Sequence, residues 1–380
     1  MNTTRKETLL DPIRVLDLSN ESGYLCGKLL ADMGGDVVKV EPPGGDSGRG
    51  LFPHAKGENG ADVGLYWLAY NINKRSITLN LKKEDGQTLF RKLAERADII
   101  IETFAPGYLV GLGLGCEALS VGNPKLIMTS ITPFGQDGPY ANYRTTDLVN
   151  VAMGGMMSLC GDDDRPPVRT TLAQSYVNVG AQAATATLLA LYQRGQSGRG
   201  QYVDFSIQEA VLTTTYNAPI FREFGVKELK RSGPCRTGFW NDIKQRTIFK
   251  CQDGYVSHSY LGGALGASRH KALTAWMEEE GGAPQFMKDT DWDEFDMRAV
   301  TPEQFGRLEK AMVDFVAPRH KEELFEQAIK RNIILFPLST SQDILDDPQL
   351  VDREIWAKAK LPGVAESVPY PKFWVKASEG

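Results

Sequence analysis

Short apolar runs separated by stretches of helical spacing set the pattern of the first half of the chain. IRVLDL (Ile13 to Leu18) reads as a buried strand, Gly23 to Met33 has helical spacing, and DVVKVE (Asp36 to Glu41) is a second strand after the stop at Gly34-Gly35. That is one βαβ unit. The alternation recurs. NKRSITLNL (Asn73 to Leu81) alternates as a strand, EDGQTLFRKLAERA places Leu89, Phe90, Leu93 and Ala94 at helical spacing, ADIIIE is the next strand, and KLIMTSI follows the break at Asn123-Pro124. Leu172 to Arg194 predicts a long helix, QYVDFSI a strand, and QEAVLTTTYNAPI the start of another helix. Strands alternating with helices imply an α/β fold with a parallel sheet and right-handed crossovers.

After about Phe221 the pattern changes. FKCQDGYVSHSYL predicts a hairpin around Asp253-Gly254, and TAWMEEEG, QFGRLEKAMVDFVAPR and KEELFEQAIKRN predict amphipathic helices with solvated charged faces. The expected organisation is a large domain over 1–220, a small α+β domain over 221–329, and a return to the large domain over 330–380. In that last part NIILFPLST (Asn332 to Thr340) reads as a strand, DILDDPQLVDREIWAKAK as helical turns, and VPYPKFWVKASEG as an extended tail.

Composition narrows the function classes. A formal charge of -5 over 380 residues, with no basic patch, disfavours nucleic acid and anionic membranes as partners. The 5 cysteines are odd in number, scattered and never paired as CxxC, which argues against a disulfide framework and a structural zinc. The 4 histidines show no metal-ligand spacing, so no metal is expected, and His258 reads as a satisfied polar residue. The longest uncharged run is too rich in Gln, Asn, Ser and Thr to span a membrane, and the N-terminal stretch has no signal-peptide pattern; a cytoplasmic location is the expectation. GGDSGRG (Gly44 to Gly50) follows the second strand without GxGxxG spacing, so it reads as a loop rather than a dinucleotide site. GDDDR (Gly161 to Arg165) reads as an exposed turn. Lys74 and Arg75 are adjacent cations at a loop end, able to meet phosphate or merely solvent, and TPFGQDGPY (Thr132 to Tyr140) is a glycine-rich loop after a strand, where parallel-sheet proteins place ligands.

Taken together, VLDL with its helix and VVKVEPPGGD, then NINKRSITLNL, ADIIIETFAPGYLVGLGLG, NPKLIMTSITPFGQDGPYA and ALYQRGQSGRGQYVDFSIQEAV resemble the class III CoA-transferases. This family includes formyl-CoA, carnitine and benzylsuccinate CoA-transferases and alpha-methylacyl-CoA racemase. The resemblance implies a Rossmann-like large domain, a small domain, and two chains interlocked like linked rings. It also implies acyl-CoA and a carboxylic acid as substrates, with no permanently bound cofactor. In active members an aspartate near the start of the helix matching Leu172 to Arg194 attacks the thioester, forming an aspartyl anhydride and then an aspartyl thioester. For CoA contacts, Lys39, Asn71, Lys74, Arg75, Thr103, Phe104 and Tyr140 are the matching positions, with Thr103 standing where Asn is common.

Here the chain departs from the family. An ungapped count back from SGRGQ puts the nucleophile's position at Tyr176, or at Ser175 or Gln174 after a small shift. None is a carboxylate, and a phenol with pKa about 10 stays protonated at neutral pH. Pro42 replaces a usual basic residue, Gly111 a usual Arg, and Asn20 a His found in several members. Two readings follow. In one, the chain is the non-nucleophilic subunit of a heteromeric enzyme whose paralogous partner carries the aspartate. In the other, it is a self-sufficient acyl-CoA enzyme using another carboxylate, with Asp147 and Asp162 to Asp164 as candidates; a racemase would need a two-base pair that the matching positions do not supply.

Overall fold

The computed structural model describes residues 8–57, 60, 62–225, 228–237, 243–360, 364, 367–372 and 375–378. The chain divides into two compact units, one formed by Met1–Met157, Arg169–Tyr216 and Pro348–Gly380, the other by Ser158–Val168 and Asn217–Asp347.

The first unit is built on six parallel strands: β1 (Arg14–Leu18), β2 (Asp36–Glu41), β3 (Arg75–Thr78), β4 (Ile99–Glu102), β5 (Ile127–Thr132) and β6 (Tyr202–Ser206), in the order β3-β2-β1-β4-β5-β6. Val15 pairs with Val37 on one side and with Ile99 on the other. Winding therefore reverses beside β1, and in such sheets a crevice opens beyond the carboxyl ends of the strands at that point. Successive residues face opposite layers, so an unbroken apolar run can fill two cores. Val15, Val37, Ile99, Ile101 and Ile127 pack with Leu30, Val179 and Ala183 on one face. Leu16, Val38, Ile100 and Met128 pack with Phe90 and Ala94 on the other. The helices covering these faces include α1 (Tyr24–Asp32), α2 (Glu84–Ala94) and α4 (Gln174–Ser197), with α3 (Asp147–Met153) preceding α4.

The long helix α4 begins two residues and ends three residues later than its periodicity predicts, its end being set by Gly198, at φ +70°, rather than Gly195. Its small residues serve a close approach to α1: a Cβ at Gly180 would lie 2.6 Å from Leu25 Cβ. Thr187 and Thr129 hydroxyls, 2.7 Å apart, tie its middle to β5.

The C-terminal segment departs from expectation. Helical turns run over Ser341–Asp346 and Pro348–Asp352, but Trp356–Lys360 is a strand paired antiparallel with Ser367–Pro371. Glu354 at φ +54° breaks the helix, after which the alternation of W-A-K-A-K takes over. Thus part of the tail is a paired strand; its Phe373-Trp374 portion lies outside the described residues.

In the second unit, β7 (Ile248–Cys251) and β8 (Gly254–His258) form the hairpin, and β9 (Leu335–Pro337) pairs antiparallel with β8. Because β9 completes this sheet, the return to the first unit falls at Pro348 and not at residue 330. Helices α5 (Gly263–Glu279), α6 (Pro302–Val316) and α7 (Lys321–Arg331) close a core around Trp276, Phe249, Leu273, Met312 and Leu324.

His258 lies inside that core, 2 % exposed. Its Nδ1–H donates to the Ile334 carbonyl at 2.7 Å, while Nε2 has no partner among the described residues, so the residue is only half satisfied. Burial pushes its pKa down from the usual 6.5 to about 4, and neighbouring His270 is pushed down by burial as well. Between those two pH values the unfolded chain takes up a proton that the folded chain refuses, so stability falls as pH drops through the window. From His258 alone, this unit should be roughly 2 kcal/mol less stable at pH 5 than at pH 7.5. Urea unfolding of the full chain, followed by tryptophan fluorescence at both pH values, checks this. His258→Gln should flatten the difference, and an unchanged difference would refute the assignment.

Candidate active site

At the switch point beside β1, a cleft of about 460 Å³ opens past the carboxyl ends of β1, β2, β3 and β4. Its lining includes Asn20, Pro42, Lys82, Thr103, Phe104 and Tyr108. The β1–α1 and β4 loops are locked together there: the Asn20 N–H donates to Thr103 Oγ1 at 2.8 Å, and Asn20 Oδ1 accepts from the Ser22 amide at 3.0 Å and its hydroxyl at 2.7 Å. Phe104 and Tyr108 stack with ring centroids 4.7 Å apart and planes 32° apart, an apolar platform suited to a flat ring. Among the described residues that line the cleft, Lys82 alone is a cation.

The loop after β2 is fastened down by charge. Arg49 grips Glu41 through two hydrogen bonds of 2.7 and 2.6 Å, and the Asp46 N–H donates to Glu41 at 2.9 Å. Burial would raise the Glu41 carboxyl, but Arg49, the Ser76 hydroxyl and that amide hold it down at about 2. Beneath, Asp17 is fully buried, accepting from the Ser19 amide and hydroxyl and facing Lys74 Nζ at 2.8 Å and Lys39 Nζ at 3.6 Å. Lys39 also meets Asp46 at 3.4 Å. Burial opposes the charge on Asp17, yet the two lysines pull its pKa to about 2.

These contacts sort the expected CoA contacts. Thr103 and Phe104 line the cleft. Lys39 and Lys74, with side chains 1 % exposed, point into the ion network, and Asn71 is buried beside them, its Oδ1 accepting from Lys74 at 2.9 Å. These three and Arg75 together line a second cavity, of about 560 Å³, instead of the cleft that holds Thr103 and Phe104. Arg75 is exposed, but it starts β3 and is held bidentate on Asp36, the first residue of β2, so it sits at the opposite end of the sheet. Tyr140 is exposed and packs edge-on against Phe134, away from the residues that line the cleft. Lys82 escaped the sequence reading, which followed the adjacent pair Lys74-Arg75. The available signal was position, since Lys82 comes just after the strand and the crevice lies at carboxyl ends.

The start of α4 carries the other half of the question. Ser175 is fully buried, and both its amide (3.0 Å) and its hydroxyl (2.8 Å) donate to Asp147 Oδ1 from α3. Asp147 thereby caps a helix whose own preceding residue, Ala173, offers no side-chain cap. Gln174 is an amide in the first turn whose backbone carbonyl accepts from the Asn178 side-chain amide. Tyr176 is half-buried against the α1-side core, and burial, reinforced by the charges of Glu21 and Asp147, pushes its pKa up to about 12. At neutral pH its hydroxyl keeps its proton. Asp162 to Asp164 belong to the second unit, where Asp162 meets Arg165 at 2.7 Å and Asp163 pairs with Lys244.

A doubly wound parallel sheet with a cleft at its switch point defines an α/β protein of the class that places ligands beyond the carboxyl ends of its strands. The chain belongs to CoA-transferase family III, which it matches across residues 10–380. It is similar to the succinyl-CoA:(R)-benzylsuccinate CoA-transferase subunit BbsE of Thauera aromatica, 34% identical over 361 residues covering 94% of this chain and 85% of that one. It is also similar to the succinyl-CoA–D-citramalate CoA-transferase of Chloroflexus aurantiacus, 32% identical over 93% of this chain and 84% of the other. Among solved structures, a CAIB/BAIF family protein from Brucella suis superposes with a TM-score of 0.82 at 28% identity, covering 98% of this chain and 94% of that one. No helix among the described residues is long and apolar enough to cross a membrane.

Proposed function

We propose that this chain is the non-nucleophilic subunit of a heteromeric CoA-transferase that moves CoA between an acyl-CoA, such as succinyl-CoA, and a carboxylic acid. Its partner would be a paralogous chain with aspartate at the position of Tyr176, the two interlocked as in the family. One observation carries the reading: the first turn of α4 offers a buried serine, an amide and a protonated phenol but no carboxylate of its own, and the adjacent Asp147 accepts from Ser175 through Oδ1 while its Oδ2 has no partner among the described residues. A neutral phenol in an apolar setting cannot replace an ionised carboxylate in opening a thioester. The relative BbsE, itself described as a subunit, supports the assignment.

Locating the covalent intermediate tests it. The chain is co-expressed with the paralogue, mixed with succinyl-CoA, quenched with hydroxylamine, and digested for mass spectrometry. The hydroxamate is expected on the partner's aspartate; a hydroxamate on Asp147, or on any other carboxylate of this chain, overturns the proposal.

The cleft retains a CoA-binding role in this reading, with Lys82 facing the phosphates and the Phe104–Tyr108 stack facing the adenine. Lys82→Ala should weaken CoA binding by about tenfold, the scale of one exposed charge-assisted contact. Isothermal titration of the purified chain with CoA gives the answer, and unchanged affinity would remove Lys82 from the site.

A further inference from the structure

The first unit holds another cavity, of about 530 Å³, whose walls include Leu109, Val110, Ala118 and Met128, with Gln136 and Tyr202 beside them. The charged residues lining it, among those described, are Glu102 and Glu117; no lysine, arginine or histidine lines it. Glu102 is the last residue of β4 and only 5 % exposed. Its carboxylate accepts from the Phe104 N–H at 2.6 Å and from the Ser130 hydroxyl, whose oxygen accepts in turn from Gln136 Nε2 at 2.7 Å. Those contacts orient the group but bring no charge. Burial pushes its pKa up to about 7 against these hydrogen bonds, and the negative charge of Asp204 acts in the same direction.

A carboxyl that ionises near neutral pH, set in an apolar wall with no cation beside it, is short of a counter-charge. Anions are the wrong occupants. Coenzyme A and carboxylate substrates would meet two acids with no lining cation here, whereas the acids of the other cleft, Glu41 and Asp46, are paired with Arg49 and Lys39 and stand beside Lys82. A ligand that suits both the walls and the acid has a hydrocarbon body and a positively charged head.

We propose that this cavity binds a small apolar amine, its ammonium group on Glu102 and its hydrocarbon against Leu109, Val110 and Met128. Binding draws Glu102 into its ionised form, so affinity rises as pH passes through the range in which the free carboxyl titrates, while an alkylammonium stays protonated throughout. The cavity shares Tyr108 with the cleft proposed for CoA, and its test reads binding rather than turnover.

The probe is 2-phenylethylamine, titrated into the full chain and followed by ligand-observed NMR at pH 6 and pH 8. The Kd is expected to tighten by about tenfold between them, the ratio of ionised Glu102 on either side of pH 7. At pH 8, 2-phenylethanol and phenylacetate should bind at least about tenfold more weakly than the amine. Glu102→Gln keeps the side-chain shape and should abolish the pH dependence, while Ala118→Phe, which fills the cavity from its wall, should abolish binding with CoA affinity retained. Equal binding of phenylacetate, amine binding unaltered in Glu102→Gln, or no amine binding by the folded wild-type chain would each overturn the proposal.

Discussion

Assayed alone, the purified chain will transfer CoA at least about 10³-fold more slowly than the same chain with the proposed aspartate-bearing paralogue, the scale on which loss of a nucleophile acts. The expectation rests on charge. An ionised carboxylate attacks a thioester carbon to give an anhydride, splitting one difficult exchange into easier steps. Tyr176 offers a hydroxyl whose proton is held up to about 12, so at pH 7 the attacking form is scarcely populated. Ser175 is fully buried, with its hydroxyl proton already donated to Asp147. Tyr176→Phe removes only the phenol oxygen and should leave the turnover of the two-chain complex within about threefold of wild type. Steady-state kinetics on both preparations decide the matter, and substantial turnover by the lone chain, abolished in Asp147→Asn, would reverse the assignment.

Asp17→Ala is expected to destabilise the chain by about 3–5 kcal/mol, the range for removing one partner of a buried ionic network. In the wild type, Asp17 and Asp46 offset Lys39 and Lys74, and a fully buried Asp17 touches both lysines. Without it, Lys74, whose ammonium burial already disfavours, keeps among the described residues the Tyr24 carbonyl and ring and the Asn71 amide oxygen, none of them charged. The loop carrying Asp46 would loosen with it, since Lys39 would be left with Asp46 as its one acid. Urea denaturation measures the loss, and Asp36→Ala is the control: its partners Arg14 and Arg75 are 46 % and 67 % exposed, so it should cost about 1 kcal/mol or less. A loss from Asp17→Ala no larger than the control's would show that the network contributes little. Sign follows from the lowered pKa: the Asp17 contribution is present above about pH 4, its unfolded value, and disappears as pH falls toward 2.

The sheet was readable because its four inner strands, β1, β2, β4 and β5, are buried on both faces, while the edge strands β3 and β6 are largely exposed. Val15 and Leu16 belong to different cores, as do Ile100 and Ile101, and a run that must satisfy two layers cannot be mistaken for a surface strand. Trp356–Lys360 was misread because W-A-K-A-K is half-exposed and contains good helix formers; what makes it a strand is pairing with Ser367–Pro371. β9 was recognised as a strand, yet its membership in the second unit depends on β8, nearly eighty residues earlier. The site divided along similar lines. Thr103 and Phe104 follow a strand directly, so their place in the crevice follows from chain order. Lys39 and Lys74 carry charges that sequence reading sends outward, and only their common proximity to Asp17 turns them in.

By itself the sequence determined a doubly wound parallel sheet, the position of the long helix, membership of a CoA-transferase family, and the missing carboxylate at that helix's start. The sheet and the helix follow from the period of apolar residues, and the family and the missing carboxylate from motifs that resemble the family's; none of these needs a distant contact. The tertiary structure decided which cations are available: Lys82 at the cleft, Lys39 and Lys74 beneath it, Arg75 at the far end of the sheet. It alone showed that Asp147 caps α4 and that Glu102 lies buried in an apolar wall. Charges are placed by residues far apart in the chain, because burying one is tolerable only where folding brings it a partner.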